Sequence, residues 1–294
     1  MVAYIDSPFQ LFLLYNNSHK IGRDVTLLVV RYNGNPKNDQ SLDEILAVLQ
    51  INHLVKIRNL TSILHARKII RSLLMKREII LGDYRNKISQ FVLLFRPFLK
   101  SISFLDDGAS TLNLLGDLKL VRRFSYDNIN FYSIFKLDIM SYQQISIDFS
   151  RFDMQNSDIN ELNAWKNIYI SQKFSEVGFF DLSTELSLVK RINSMCSDML
   201  VILHRSDSIL KRKKYKEMGL RTIELALPFE CYLKNISCDT VIHGFSSTCL
   251  YNANKYGLDV KVYSPSVTIN PVYRSGFFNT LKYYENEIGE LYCL

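Results

Sequence analysis

The 294-residue chain contains no apolar run that could cross a membrane; its longest stretches, such as Phe91–Phe95, fall far short of the ~20 residues a span needs. Its first residues, Met-Val-Ala-Tyr-Ile-Asp-Ser-Pro, carry an acid and a proline and lack a basic segment, so no secretory leader is expected. Cysteine is scarce: Cys196, Cys231, Cys238, Cys249 and Cys293 stand singly, without Cys-x-x-Cys or any paired framework. This excludes a disulfide scaffold and predicts reduced thiols, buried as small apolar side chains, in a cytoplasmic protein. Gly-x-Gly, a Walker loop, His-Glu-x-x-His and Gly-x-Ser-x-Gly are all missing, which argues against dinucleotide oxidoreductases, P-loop NTPases, zincins and serine hydrolases. No Asp-x-Asp occurs, so a divalent-metal site is not expected.

What is present is globular. Hydrophobic residues make up 47%, no segment is low-complexity, and the length allows one large or two medium domains. The net charge of +7 is clustered in Lys211-Arg212-Lys213-Lys214 with Lys216, and in Arg67, Lys68, Arg71, Lys76 and Arg77. In the second block Ile63, Leu64, Ile69, Ile70, Leu73 and Leu74 recur at helical spacing, giving a basic amphipathic helix. Such blocks are either solvated helix faces or an electrostatic dock for an anionic membrane surface. They lack the interleaved aromatics of a single-strand platform, so nucleic acid is not an expected partner.

Short Val- and Ile-rich runs alternate with amphipathic stretches. Strands are predicted over Val2–Ile5, Val25–Val30, His53–Ile57, Glu78–Leu81 and Ser101–Leu105, and helices over Pro8–Asn17, Ser41–Leu49, Thr61–Leu74 and Asn86–Phe95. Residues 118–160, rich in Phe, Tyr, Asp and Asn, break the rhythm and read as an excursion between domains. It resumes with strands at Asn167–Ile170, Met199–Leu203, Thr222–Leu225, Thr240–His243 and Val260–Tyr263, and helices at Ser183–Met195, Ser208–Met218, Phe229–Lys234 and Ser247–Tyr256. The expectation is two doubly wound, Rossmann-like α/β domains, residues 1–160 and 161–294, facing one central cleft.

Ligands of such sheets lie beyond the carboxyl ends of strands, where this chain carries polar turns. Ile5-Asp6-Ser7-Pro8-Phe9-Gln10 puts a capping Ser7 before Pro8. Leu81-Gly82-Asp83-Tyr84-Arg85-Asn86 is a glycine turn. In Leu105-Asp106-Asp107-Gly108-Ala109-Ser110, two carboxylates follow an apolar strand directly. Either they form a capped Asx-type turn, or one of them faces the cleft as a general base with a raised pKa. In the second half, His204 ends one strand, and Gly244-Phe245-Ser246-Ser247-Thr248 opens a helix whose free N–H groups and hydroxyls suit a phosphate. His204 would donate to that phosphate as it leaves, whereas His243 reads as structural. Glu230, after Leu227-Pro228-Phe229, either offsets a helix dipole or accepts from ribose or base groups.

The order of these motifs resembles bacterial sialyltransferases of the lipooligosaccharide sialyltransferase family, glycosyltransferase family 52, and their polysialyltransferase relatives. The likeness rests on Ser7-Pro8-Phe9-Gln10, Gly82-Asp83-Tyr84-x-Asn86, Asp106-Asp107-Gly108, Ile170-Ser171-Gln172-x-Phe174-Ser175-Glu176-x-Gly178, His204, Pro228-x-Glu230 and Gly244-Phe245-Ser246-Ser247, and spans nearly the whole chain. It implies a GT-B fold and inverting, metal-independent transfer of sialic acid from CMP-sialic acid, without a cofactor, to a hydroxyl such as that of galactose on a bacterial surface glycan. By position, Asp107 is the implied base with Asp106 supporting it. His204, Arg205, Glu230, Gly244, Ser246, Ser247, Thr248 and Gln172 fall on the donor side, and Ser7, Gln10, Asp83 and Asn86 on the acceptor side. The family usually has proline after the histidine. Arg205 stands there instead, which loosens the loop and either adds charge at the phosphate or marks a related nonulosonic acid as donor.

The expected partners are thus a CMP-sugar and a lipid-linked glycan, with the protein cytoplasmic at the inner face of the inner membrane. Two alternatives remain: a GT-B enzyme using another CMP-nonulosonic acid or a UDP-sugar, and a non-catalytic module that binds membranes or polyanions through its basic blocks.

Overall fold

The computed structural model describes residues 1–17, 25–49, 54–58, 71, 75, 77–106, 108–109, 111–112, 127–137, 142–148, 157–196 and 198–294. It divides into two compact units, Met1–Asp148 and Phe149–Leu294.

In the first unit, strands β1 (Val2–Ile5), β2 (Leu27–Tyr32), β3 (Leu54–Arg58), β4 (Glu78–Leu81), β5 (Ser101–Leu105), β6 (Ile129–Ser133) and β7 (Tyr142–Gln144) form one parallel sheet in the order β3-β2-β1-β4-β5-β6-β7. The central strands β1, β4 and β5 are buried almost throughout, as parallel strands covered on both faces must be. Helix α1 (Pro8–Asn16) is capped by Ser7, whose hydroxyl accepts from the Gln10 N–H at 3.2 Å, and it buries Leu11, Phe12, Leu13 and Leu14. Helices α2 (Pro36–Leu49) and α3 (Lys87–Leu94) follow, the latter capped by Asn86. The predicted helix over Thr61–Leu74, with most of its basic block, lies outside the described residues.

The stretch 118–160 is not simply an excursion. β6 and β7 lie within it and extend the first sheet. β6 alternates buried and half-exposed residues and β7 is an exposed Tyr-Gln-Gln edge, so neither carries the Val/Ile signal of the central strands. The division after Asp148, earlier than 160, has a visible anchor: the buried Asn16 amide donates to the Asp148 carbonyl at 2.8 Å and accepts from its N–H at 2.7 Å.

The second unit is a parallel sheet of β8 (Asn167–Ile170), β9 (Leu200–Ile202), β10 (Arg221–Ile223), β11 (Val241–Gly244), β12 (Asp259–Ser264) and β13 (Leu291–Cys293), in the order β10-β9-β8-β11-β12-β13. Its helices are α4 (Ser157–Asn163), α5 (Leu182–Met195), α6 (Ile209–Glu217), α7 (Thr248–Tyr256) and α8 (Pro271–Glu287). Asp181, Ser208, Ser247 and Asn270 cap the last four of these in turn. The predicted helix over Phe229–Lys234 is instead two single 3-10 turns, Phe229–Cys231 and Leu233–Asn235. Of the cysteines only Cys231 is buried; Cys196 and Cys249 are half-buried, and Cys238 and Cys293 are exposed, contrary to expectation. Both units are doubly wound Rossmann-like α/β structures, and their tandem arrangement in the chain is the GT-B type of fold. Among the described residues, no helix is long and apolar enough to cross a membrane.

Each sheet reverses its winding at one place: between β1 and β4 in the first unit, and between β8 and β11 in the second. The first of these places is tightly closed. The Gln10 side chain is fully buried, its Oε1 accepts from the Asp6 N–H at 3.3 Å, and a Cβ added at Gly82 would meet that oxygen at 2.0 Å. Gly82→Ala is therefore expected to expel the Gln10 amide and cost about 1–3 kcal/mol in urea unfolding of the full chain. An unchanged midpoint would show that the turn does not need this close approach.

Candidate functional site

At the β8/β11 reversal the backbone N–H of Ser246 donates to Gln172 Oε1 at 3.1 Å, and Gln172 Nε2 donates back to Ser246 Oγ at 3.3 Å. Ser247 caps α7, its hydroxyl accepting from the Cys249 N–H at 3.3 Å, and its carbonyl accepts from the Tyr284 hydroxyl of α8 at 2.9 Å. Thr248 is the first residue of α7, so Ser246, Ser247 and Thr248 lie together at a helix N-terminus, where partial positive charge gathers. Gly244 ends β11 against α7; a Cβ there would come within 3.2 Å of Leu250 Cδ1. Phe174 wedges beneath, its ring 5.6 Å from Phe245 and 6.0 Å from Phe277.

His204 follows β9, the strand next to β8. Its Nδ1 accepts from the Ser206 N–H at 3.0 Å, which assigns the ring proton to Nε2. Burial, reinforced by Arg205, Lys173 and Lys211, depresses the imidazole to about 3. The ring is thus a neutral Nε2–H donor near pH 7, not a cation. Arg205 beside it is exposed. His243 is structural as expected: 1% exposed, it meets the Tyr263 hydroxyl at 2.9 Å and Asn167 Oδ1 at 3.0 Å. Glu230, 4% exposed, accepts from Asn252 Nδ2 of α7 at 2.8 Å, so its carboxylate braces that helix and is not open to a ribose or base.

The organising residue is one that the sequence hid inside a basic block. Lys211 is fully buried, with Nζ 2.5 Å from Glu185, 2.8 Å from Asp207, 3.5 Å from Glu176 and 2.5 Å from the Gln172 carbonyl. Asp207 in turn accepts from the His204 N–H at 2.8 Å. Arg212 also points inward, donating to the Asp207 and His204 carbonyls and pairing with Glu224 at 2.7 Å. Lys213, Lys214 and Lys216 of this block sit on the surface, the first two near Glu217, so the block is a solvated face only in part and not a continuous basic dock. Two buried carboxylates share one buried cation. Burial pushes Glu185 and Asp207 above the usual carboxylate range despite Lys211. Lys211, which burial alone would depress, is held above its ordinary value by Asp207 and Glu185. The only sequence signal for this cluster was the Ser208 cap, which fixes where α6 begins and so which lysine turns inward.

In the first unit, Asp106 is fully buried after β5. It accepts from the Thr111 hydroxyl at 2.7 Å, the Ser133 hydroxyl at 2.6 Å and the Ile134 N–H at 3.0 Å. It pins this turn to the end of β6, with Gly108 in the left-handed conformation at φ 76°. Asp107 and Ser110 lie outside the described residues. Ser7 and Gln10 are spent on the cap and the buried lock. Asp83 pairs with Arg85 at 3.1 Å, and Asn86 donates to Asp6 Oδ2 at 2.5 Å. Asp6, absent from the sequence-derived site residues, is the half-buried carboxylate at this reversal; burial raises its pKa, as does Asp83 more weakly.

Lys211→Met is expected to destabilise the chain by about 3–5 kcal/mol in urea unfolding, because it strands two buried carboxylates. A loss under about 1 kcal/mol would place Lys211 in water. His204, depressed to about 3, should keep one 15N signature of an Nε2–H tautomer from pH 8 to about pH 4.5, and a midpoint near 6.5 would overturn that assignment. The sign for stability follows: the unfolded imidazole takes up a proton first, so stability falls as pH drops from about 6.5 toward 3.

No protein-family model matches the chain, and no curated protein matches it by sequence. Solved structures do. The α/β-galactoside α-2,3-sialyltransferase of Photobacterium phosphoreum aligns at TM-score 0.57 and 11% identity over 99% of this chain and 97% of its own. MnaA of S. aureus in complex with UDP aligns at 0.57 and 10%, over 98% and 88%. The UDP-N-acetylglucosamine 2-epimerase of Rickettsia bellii aligns at 0.56 and 13%, over 97% and 87%. At these identities the shared property is the fold.

Proposed function

We propose that the chain is an inverting, metal-independent glycosyltransferase that moves sialic acid from CMP-sialic acid to a hydroxyl, such as that of galactose, on a lipid-linked bacterial surface glycan at the cytoplasmic face of the membrane. The observation that carries this reading is the set of hydrogen-bond donors at the carboxyl ends of the neighbouring strands β9, β8 and β11. A neutral His204 Nε2–H, the Gln172–Ser246 pair, and the hydroxyls and N–H groups at the start of α7 suit a single phosphate that gains charge as it departs. The motif order and a fold shared with a sialyltransferase support it.

In the proposed step, the acceptor oxygen forms a bond to the anomeric carbon of sialic acid while the bond from that carbon to the CMP phosphate breaks. The electron pair leaves with CMP, and the hydroxyl proton passes to the Asp107 carboxylate. Asp106 acts through Asp107 by fixing the turn. Lys211 and Asp207 act through His204 and Gln172. Arg205 adds positive charge at the same strand end. Glu230 holds α7 in place through Asn252.

A UDP-linked sugar is the competing donor, because a UDP complex shares the fold equally well. Thermal shifts with CMP, UDP and GDP separate the two, since a nucleotide at 100 times its Kd stabilises by about 2.7 kcal/mol. CMP is expected to give the largest shift, and purified protein with CMP-sialic acid and galactosides is expected to show transfer. Asp107→Ala should abolish that transfer and leave the CMP shift intact. Absence of both transfer and slow donor hydrolysis with the wild type would sink the proposal.

A further inference from the structure

The carboxyl end of the second sheet carries an apolar surface that the core does not use. Ser208, the cap of α6, donates its N–H to Glu176 Oε1 at 2.9 Å, which sets the start of α6 against the turn Ser175–Gly178. Asn270, the cap of α8, donates through Nδ2 to the Gly178 carbonyl at 2.9 Å and through its N–H to the Phe179 carbonyl at 2.9 Å. Tyr273 then stacks on Phe179, ring centroids 5.7 Å apart. The starts of two helices are thus fastened to one turn, and each holds apolar side chains in water. Ile209 is 87% exposed and Leu210 55% at the first two positions of α6, and Val272 is 78% exposed in the first turn of α8. Tyr273 and, on the turn itself, Val177 are each 37% exposed. One such side chain needs no explanation, but a group of them on one rim marks an interaction surface.

The surroundings are basic. Lys173 and Arg205 are exposed on the loops that lead into the rim, and the charge of both reaches the His204 ring. Arg274, exposed beside Tyr273, lies over the Phe278 ring at 6.0 Å from its centroid. Lys213 and Lys214 stand one turn along α6 from Ile209 and Leu210, on the same faces. The nearby acids are engaged: Glu176 holds the Ser208 N–H and Lys211, Asp181 caps α5, and Glu217 lies near Lys213 and Lys214. A second copy of this chain seated face to face on the rim would set these cations against themselves. The boundary between acyl chains and anionic headgroups has the complementary chemistry, taking Ile, Leu, Val and Tyr into its apolar side and Lys and Arg at its phosphates.

We infer that the rim formed by Val177 and the first turns of α6 and α8 docks on an anionic lipid bilayer, with Ile209, Leu210 and Val272 entering the acyl boundary and Lys173 and Arg274 meeting the phosphates. This deepens the transferase reading and rests on it for what the docking serves. The turn begins three residues after Gln172, and Ile209 stands five after His204, so the rim adjoins the proposed phosphate site. A bilayer held there keeps the donor chemistry at the surface in which a lipid-linked acceptor lies.

The test sediments the full chain with vesicles of phosphatidylcholine alone and with vesicles that also contain about 30% phosphatidylglycerol. The wild type is expected to bind the anionic vesicles at least about tenfold more tightly, and to lose that preference in about 0.5 M salt. The double variant Ile209→Ser, Leu210→Ser is expected to weaken binding to anionic vesicles at least about tenfold, and Val272→Ser to weaken it less. These side chains stand in water outside the proposed phosphate site, so transfer to a soluble galactoside should stay within about twofold of wild type. Transfer to a lipid-linked acceptor in vesicles should fall with the binding. Unchanged vesicle binding by the double variant overturns the inference, as does a wild type that ignores both vesicle types or fails to distinguish them. A wild-type dimer in solution that the double variant dissociates assigns the rim to a second copy and also overturns it. Vesicle binding that depends on the rim, without transfer from any CMP-sugar, upholds the dock and removes the transferase reading. Transfer to soluble galactosides without vesicle binding does the reverse.

Discussion

The second unit depends on a lysine that has no access to water. Lys211 reaches from α6 into the space between Glu185 of α5 and Asp207 of the loop after β9, and its fourth contact is the carbonyl of Gln172 after β8. One ammonium thus links two helices to the ends of two neighbouring strands. A buried ion cluster is a poor source of net stability, since desolvation consumes most of the attraction, but it is intolerant of rearrangement. Any shift of α6 against the sheet would leave a buried carboxylate uncompensated. That intolerance fixes Gln172 and His204, two residues of the proposed phosphate site, to a part of the fold that has few alternative packings.

The two winding reversals solve different problems with similar architecture. Around β8 and β11, hydroxyls and N–H groups gather at the start of α7, and a neutral histidine follows the neighbouring strand β9, so these strand ends offer hydrogen-bond donors. Such a site gains most where negative charge develops on a departing group, and less from the ground state. Around β1 and β4, Gln10 and Ser7 are consumed in closing the turn, and the groups left over are Asp6, Arg31 and Tyr4.

Much of the architecture was legible because parallel central strands are apolar throughout. Val2–Ile5, Glu78–Leu81, Ser101–Leu105 and Asn167–Ile170 fall where the Val/Ile runs put them. Amphipathic runs located α1, α3, α5, α6 and α7 to within a residue or two, and in the structure Ser7, Asn86, Asp181, Ser208 and Ser247 cap them, each satisfying an orphan N–H. β6 and β7 escaped because β6 sets Asn130 and Ser133 among its Ile, Phe and Tyr, and β7 is only Tyr-Gln-Gln, so neither forms a continuous apolar run.

The sequence by itself determined the two parallel sheets, their order along the chain, and the strand ends where chemistry can occur, because periodicity and caps are local properties. Only the tertiary structure decided which polar side chains at those ends are spent and which are spare. Asp106, Glu230, Gln10 and Ser7 looked like ligands and are bound to the protein itself. Lys211 looked like surface charge and is the buried centre of the second unit, while Asp6, adjacent to a capping serine, attracted no notice. Burial and partnership depend in part on residues far along the chain, as Asn86 for Asp6, 80 positions away, and Glu185 for Lys211, and no local pattern encodes that distance.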